Sequence, residues 1–293
     1  MEEAGVNRKL GSLHEHTGQA WVPAIGSASG QDVLNDTVRV SLESSGSRLL
    51  AAYALGSLAH GGFSPFVSDV DVGIILADPI RSSDEELLLG AAEKVRSMGS
   101  VLHTRVSIFW GTPASLSGRT SGGRFPPLDR LCLLEHGRLL TGTDVRNGLP
   151  CPNRTDLLVI GAQFALDALA EDVLAHAHRP DVLVTTGVRW TTKIVLFPVR
   201  FLFTAETGRE GTNEAAAHHY LTQAQAPGAA LVAAALGWRT DPPAQEQAIA
   251  ALRDGLVPLY LHYLADHVQR LESHGKVELA RAFRDWRARL VTE

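Results

Sequence analysis

The residues best placed to do chemistry lie in YALGSLAHGGFSPFVSDVDVGIIL, where Gly56 and Ser57 end one apolar run and Asp69 and Asp71 sit two apart at the head of the next. Residues two apart on a strand project to the same face, so Asp69 and Asp71 point together while Val70 and Val72 enter a core. Adjacent carboxylates repel and are costly to hold unless a cation neutralises them. A hard, oxygen-seeking ion such as Mg²⁺ does this and completes its shell with water and substrate phosphates. Gly56 lets backbone come close to a phosphate, and Ser57 adds a hydroxyl and an amide as donors. A lone Asp-x-Asp is often solvated charge at a strand end. Set between two buried runs and following Gly-Ser, it predicts a metal-bound triphosphate, with Asp69 and Asp71 as metal ligands and Gly56 and Ser57 as phosphate binders.

These residues need a sheet to hold them. LLAAYALGS, from Leu49, and DVDVGIILAD are short continuous apolar runs, as in strands buried on both faces, and the Gly, Ser and Pro of LAHGGFSPFVS mark a loop between them. Ser83 with the acidic residues after it opens a helix through about Met98, and VLHTRVSIFW reads as a third strand. Asp36–Glu43 alternates as a strand does, yet Asp32 is placed to cap a helix, and the window is too short to decide. After Pro126-Pro127 the pattern is helical: LDRLCLLEHGRLL, DLLVIGAQFALDALAEDVLAHAH, the apolar stretch Thr185–Thr204 and further windows to the end. The expected fold is α+β, with a polar lead-in over 1–30, a mixed sheet with flanking helices over 31–150, and an α-helical bundle over 151–293. The active site is expected in the cleft between the two halves.

Bulk properties narrow the function. At 293 residues the chain is long enough for two domains, and a net charge of −5 argues against general affinity for nucleic acid. Cys132 and Cys151 make no disulfide framework, and the polar N-terminus lacks a secretory core, so a soluble cytoplasmic protein is expected. Of the twelve histidines, His218 and His219 point about 100° apart on a helix, a poor arrangement for gripping one ion. His60 lies in the loop and reads as solvent-facing.

The segment resembles the nucleotidyltransferase superfamily that includes DNA polymerase β, whose signature is Gly-Ser, a loop, then Asp-x-Asp. More narrowly, GSLAHGGFSPFVSDVDV resembles the streptomycin and spectinomycin adenylyltransferases, and KIVLFPVRFLFTAETGREGTNEAAAHHYL resembles their Arg-bearing helix ending at Thr-Gly before an Ala-rich helix start. The resemblance spans roughly Leu49 to Leu221. It implies antibiotic-modifying transfer of AMP from ATP, with Mg²⁺, to a hydroxyl of an aminoglycoside, aminocyclitol or similar small polar acceptor, and it places Arg200 where the family has a nucleotide-contacting Arg. Arg189 and Lys193 share a helical face with Arg200; for these two the residues favour reaching solvent or pairing with carboxylates over binding phosphate.

Two positions depart from the family pattern. Arg105 stands where the third carboxylate is expected, and Asn213 stands where a Lys should follow Thr-Gly. Arg neither holds Mg²⁺ nor accepts a proton. Three readings follow: the general base comes from the helical half (Glu135, Glu206, Glu210 or Glu214), Arg105 stabilises phosphate charge in a different transfer, or the chain binds nucleotide without transferring it.

Overall fold

The computed structural model describes residues 20–23, 26 and 28–292. The N-terminal half carries four strands, β1 (Leu49–Ala54), β2 (Val70–Leu76), β3 (Val106–Gly111) and β4 (Arg138–Gly142), in the order β3-β2-β1-β4. β2 and β3 run parallel; β1 is antiparallel to both β2 and β4. Interleaved are helices α1 (Gly30–Ser45), α2 (Gly56–His60), α3 (Asp84–Arg96), α4 (Val101–Thr104), α5 (Pro113–Leu116) and α6 (Pro127–His136).

Strand alternation sorts the side chains into two layers. Ala52 and Ala54 of β1 and Val70, Val72, Ile74 and Leu76 of β2 pack against Val33, Leu34 and Val40 of α1 and Leu88, Ala91 and Val95 of α3. Ala51, Tyr53, Leu55 and Ile75 face the other way, against Leu116, Cys132 and Leu133 of α5 and α6. Asp71 shares this second face with Ile75.

The undecided window 36–43 is helical. Ser29 Oγ accepts from the Asp32 N–H while Asp32 accepts from the Ser29 N–H, a reciprocal cap that satisfies two end donors, and Val33, Leu34, Thr37, Val40 and Ser41 form the buried stripe.

Two expectations are corrected. RLLTG is not the end of a helix: Gly137 stops α6, and the next five residues pair with β1 as an edge strand whose largely exposed side chains give no alternation to read. VLHTRVSIFW is only partly a strand, because Ser100 caps a short helix over Val101–Thr104 and β3 begins at Val106. Arg105 therefore ends a helix, though its carbonyl accepts from the Val70 N–H (3.2 Å) and keeps it beside Asp69.

The C-terminal half comprises α7 (Arg154–Ala168), α8 (Ala170–His176), α9 (Pro180–Leu183), α10 (Val188–Thr207), α11 (Asn213–Leu221), α12 (Ala229–Trp238), α13 (Gln245–Ser273) and α14 (Val277–Thr292), which share one apolar core around α10 and α13. Pro198 inside α10 cannot donate to the Ile194 carbonyl; buried Tyr260 Oη of α13 donates there instead, at 2.8 Å. Most of the lead-in lies outside the described residues. Within it, Trp21 is anchored: its carbonyl accepts from the first N–H of α10 (2.7 Å) and its indole N–H donates to Pro243 (2.7 Å). Cys132 and Cys151 are both free thiols. Among the described residues, no single helix is long and apolar enough to cross a membrane.

Candidate active site

The Gly-Ser turn and the Asp-x-Asp strand are bound edge to edge. The Leu55 N–H donates to the Asp71 carbonyl (2.9 Å), and the chain then turns at Gly56 with φ +53° into α2. A Cβ at residue 56 would stand 2.6 Å from Asp71 Oδ2, so only glycine allows this turn to lie against the carboxylate. The Gly56 N–H donates to Cys132 Sγ at 3.1 Å, which fixes the turn to α6.

The loop between Gly56-Ser57 and Asp69 is held from both sides. Arg105 Nη1 donates to the Pro65 carbonyl (2.9 Å) and, longer, to that of Ser68 (3.4 Å). From the helical half, buried Arg239 donates through Nη2 to the Gly62 carbonyl and forms an ion pair through Nη1 with Glu214, and its own carbonyl accepts from Ser64 Oγ. Val67 of this loop packs into the helical core. Arg105 is thus a structural clamp on the loop; burial, with the charge of Arg189 beside it, lowers its pKa to about 10.

This bracing sets Asp69 against α10. Arg189 Nη2 pairs with Asp69 Oδ1, and Lys193 Nζ, one helical turn on, pairs with Oδ2. Burial pushes the Asp69 carboxyl up, but Lys193 and Arg189 outweigh it and hold the group well below the usual carboxylate range. Asp71 is the opposite case. Burial, and then the charge of Asp69, raise it to about 7 against the pull of Lys193 and Arg200. Behind it, Asp129 of α6 is raised to about 8 by burial and the charge of Asp71. Glu210 is buried and shifted upward, chiefly by burial.

Gly56, Ser57, Asp69, Asp71, Lys193 and Arg200 line one pocket, about 100 Å³ in volume, between the sheet and α10. Every residue singled out in the sequence for metal or nucleotide binding is therefore on one wall or another of it. Arg200 donates through Nε to the Gly211 carbonyl and lies over the Phe197 ring, 5.5 Å from its centroid. His60, read as solvent-facing, is also in the pocket wall; burial lowers its pKa despite the nearby charge of Glu214. Arg189 and Lys193 pair with a carboxylate, as the residues favoured, but the carboxylate is Asp69 itself. Of the four glutamates considered as general base, Glu206 pairs with His219, Glu135 accepts from the Glu210 N–H, and Glu214 pairs with Arg239 in the pocket wall.

Sequence reasoning missed Asp129 and Arg239. Arg239 lines the pocket together with Asn213, the residue standing in place of the expected Lys, so a cation reaches that wall from another helix. As a donor set, Asp69 and Asp71 fit a hard dication: both are oxygen ligands, and Asp71 forms no ion pair among the described residues while sitting beside a second acid. Both Asp69 oxygens, however, already hold a side-chain cation. Among the described residues no cluster of three His, Cys, Asp or Glu side chains converges as a metal site.

No protein-family model matches this sequence, and no curated protein does. Among solved structures, the spectinomycin adenyltransferase AAD(9) from Enterococcus faecialis, crystallised with ATP and spectinomycin, is similar over 77% of this chain and 98% of its own, with TM-score 0.51 and 13% identity. The chain shares the fold of that structure. That likeness agrees with the α+β class read from the sequence: a mixed sheet carrying Gly-Ser and Asp-x-Asp, followed by helices.

Proposed function

We propose that this protein is a nucleotidyltransferase that moves a nucleoside monophosphate, AMP from ATP, onto a hydroxyl of a small polar acceptor such as an aminoglycoside or aminocyclitol, with release of pyrophosphate. The observation that carries this reading is the pocket's composition. Two carboxylates and a glycine turn on one wall face Lys193 and Arg200 on the other, the pairing of charges that a metal-bound triphosphate requires. The fold it shares with an enzyme crystallised with ATP and spectinomycin supports the nucleotide and the acceptor class.

In this reading Asp69 and Asp71 would hold Mg²⁺, which when bound neutralises phosphate charge and polarises the reacting phosphorus. Ser57 binds the triphosphate through its N–H and hydroxyl, the Gly56 turn allowing the close approach, and Arg200, fixed by Gly211 and Phe197, offsets charge that develops as pyrophosphate leaves. A second reading, nucleotide binding without transfer, is favoured by Arg105, which fills the expected third acidic position with a loop clamp.

The test is incubation of the purified chain with labelled ATP, Mg²⁺ and a panel of aminoglycosides and aminocyclitols, followed for pyrophosphate and adenylylated product. Transfer to any acceptor supports the first reading. Bound nucleotide without product across acceptors and all four NTPs overturns it in favour of the second.

A further inference from the structure

Asp69 has one negative charge and two dedicated cations, while Asp71 beside it pairs with none among the described residues. The three partners are each about a fifth to a quarter exposed, at 24% for Asp69, 23% for Arg189 and 19% for Lys193, and Asp69 and Lys193 line the pocket itself. Neither cation is saturated. Lys193 has three ammonium donors and one bond, to Asp69, and Arg189 Nε is buried without a partner. The neighbouring cations are committed elsewhere: Arg105 to Pro65, Arg200 to Gly211, Arg239 to Glu214 and Gly62. Only Arg189 and Lys193 are anchored to an acid that the proposed reaction needs for something else.

We propose that the Asp69–Arg189–Lys193 cluster is a partner-exchange latch that keeps a divalent cation out of the pocket until a nucleoside triphosphate arrives. In the latched state a dication meets two fixed positive charges at the very oxygens it would bind. A polyphosphate supplies more acceptor oxygens than one carboxylate, so Lys193 and Arg189 gain bonds by turning to it, and Asp69 is released to join Asp71 as a metal ligand. The binding order is therefore nucleotide before or together with metal. The inference rests on the nucleotidyltransferase reading and adds to it the device that governs metal access.

The test uses the whole chain and Mn²⁺ as the probe, with free Mn²⁺ followed by electron paramagnetic resonance and folding checked by thermal melting. Wild-type protein without nucleotide is expected to bind Mn²⁺ at least about tenfold more weakly than Lys193→Met, which removes one opposing charge. Adding a nonhydrolysable ATP analogue should close that gap. Arg189→Gln is a second, independent variant expected to shift Mn²⁺ affinity the same way, and Asp69→Asn in the Lys193→Met background should abolish the gain. Equal Mn²⁺ affinity of wild type and both single variants without nucleotide, with Mn²⁺ still bound in the presence of the analogue, overturns the latch and leaves the nucleotidyltransferase reading standing. Failure of every form to take up Mn²⁺ even with the analogue overturns both.

Discussion

Gly56 and Asp71 touch: the glycine's missing side chain leaves the space in which Asp71 Oδ2 sits, 2.6 Å from where a Cβ would be. Residue 56 also has φ +53°, a conformation that L side chains rarely adopt. Gly56→Ala is therefore strained twice, by backbone and by contact, and is expected to cost about 1–3 kcal/mol of stability. The carboxylate must also move, so ATP binding measured by calorimetry should weaken by at least about tenfold. Unchanged affinity in a folded Gly56→Ala would separate the turn from the nucleotide site.

The acid pair also predicts how stability depends on pH. Folded Asp71 stays protonated up to about pH 7, whereas its ordinary value is 3.8. Between those limits the folded state binds the extra proton, so the stability that Asp71 allows at low pH is lost as pH rises through the window. Asp129, raised to about 8, acts in the same direction. Asp69, held low by its cations, stabilises above its ordinary value and loses that contribution as pH falls below it. Asp71→Asn should consequently melt higher than wild type at pH 8, by roughly 3 °C, while losing transfer activity, and the two should converge near pH 4. A Tm at pH 8 equal to or below wild type contradicts the assignment.

Arg105 offers a different test, because the residue at the expected acidic position has acquired a loop-holding bond to Pro65. Arg105→Glu restores an acid in sequence but removes the clamp and places a negative charge beside Asp69. It is expected to weaken ATP binding by about tenfold or more and to make the 61–68 segment more sensitive to limited proteolysis, not to raise kcat. A gain in kcat would show that position 105 had simply lost a base.

The parts of the site legible in the sequence are those that local pattern encodes. Gly56-Ser57 and Asp69-x-Asp71 lie within sixteen residues, just past the end of β1 and at the head of β2, and Arg189, Lys193 and Arg200 fall on one face of a single helix. Asp32 suggests a cap in the sequence, though the structure makes Ser29 the N-cap and Asp32 its partner at the third helical position, and the residues after it alternate as in a strand until their burial is known. β4 was hidden because its five residues sit on an exposed edge and carry no buried alternation. Asp129 and Arg239 were hidden for another reason: each reaches the site from an element distant in the chain, and Arg239 contacts residues 175 and 177 positions away. Packing of α6 on the sheet brings in the first and packing of the two halves the second, and no spacing rule reports either.

That long-range contact carries the last prediction. Arg239 is 3% exposed, holds the Gly62 carbonyl with one nitrogen and Glu214 with another, and lines the pocket together with Asn213, where a Lys was expected. Its charge stands at the pocket wall paired with Glu214, and its hydrogen bonds order the loop that carries Asp69. Arg239→Ala leaves Glu214 and a loop carbonyl unpaired and is expected to destabilise the chain by about 3 kcal/mol. Arg239→Lys keeps the charge but not the forked geometry, so stability should recover in part while the loop stays looser. The decisive comparison adds Lys at position 213: if Arg239 supplies the charge absent there, Asn213→Lys in the Arg239→Ala background should restore triphosphate affinity by several-fold without restoring the melting temperature. Recovery of both together would mean that Arg239 serves the loop alone.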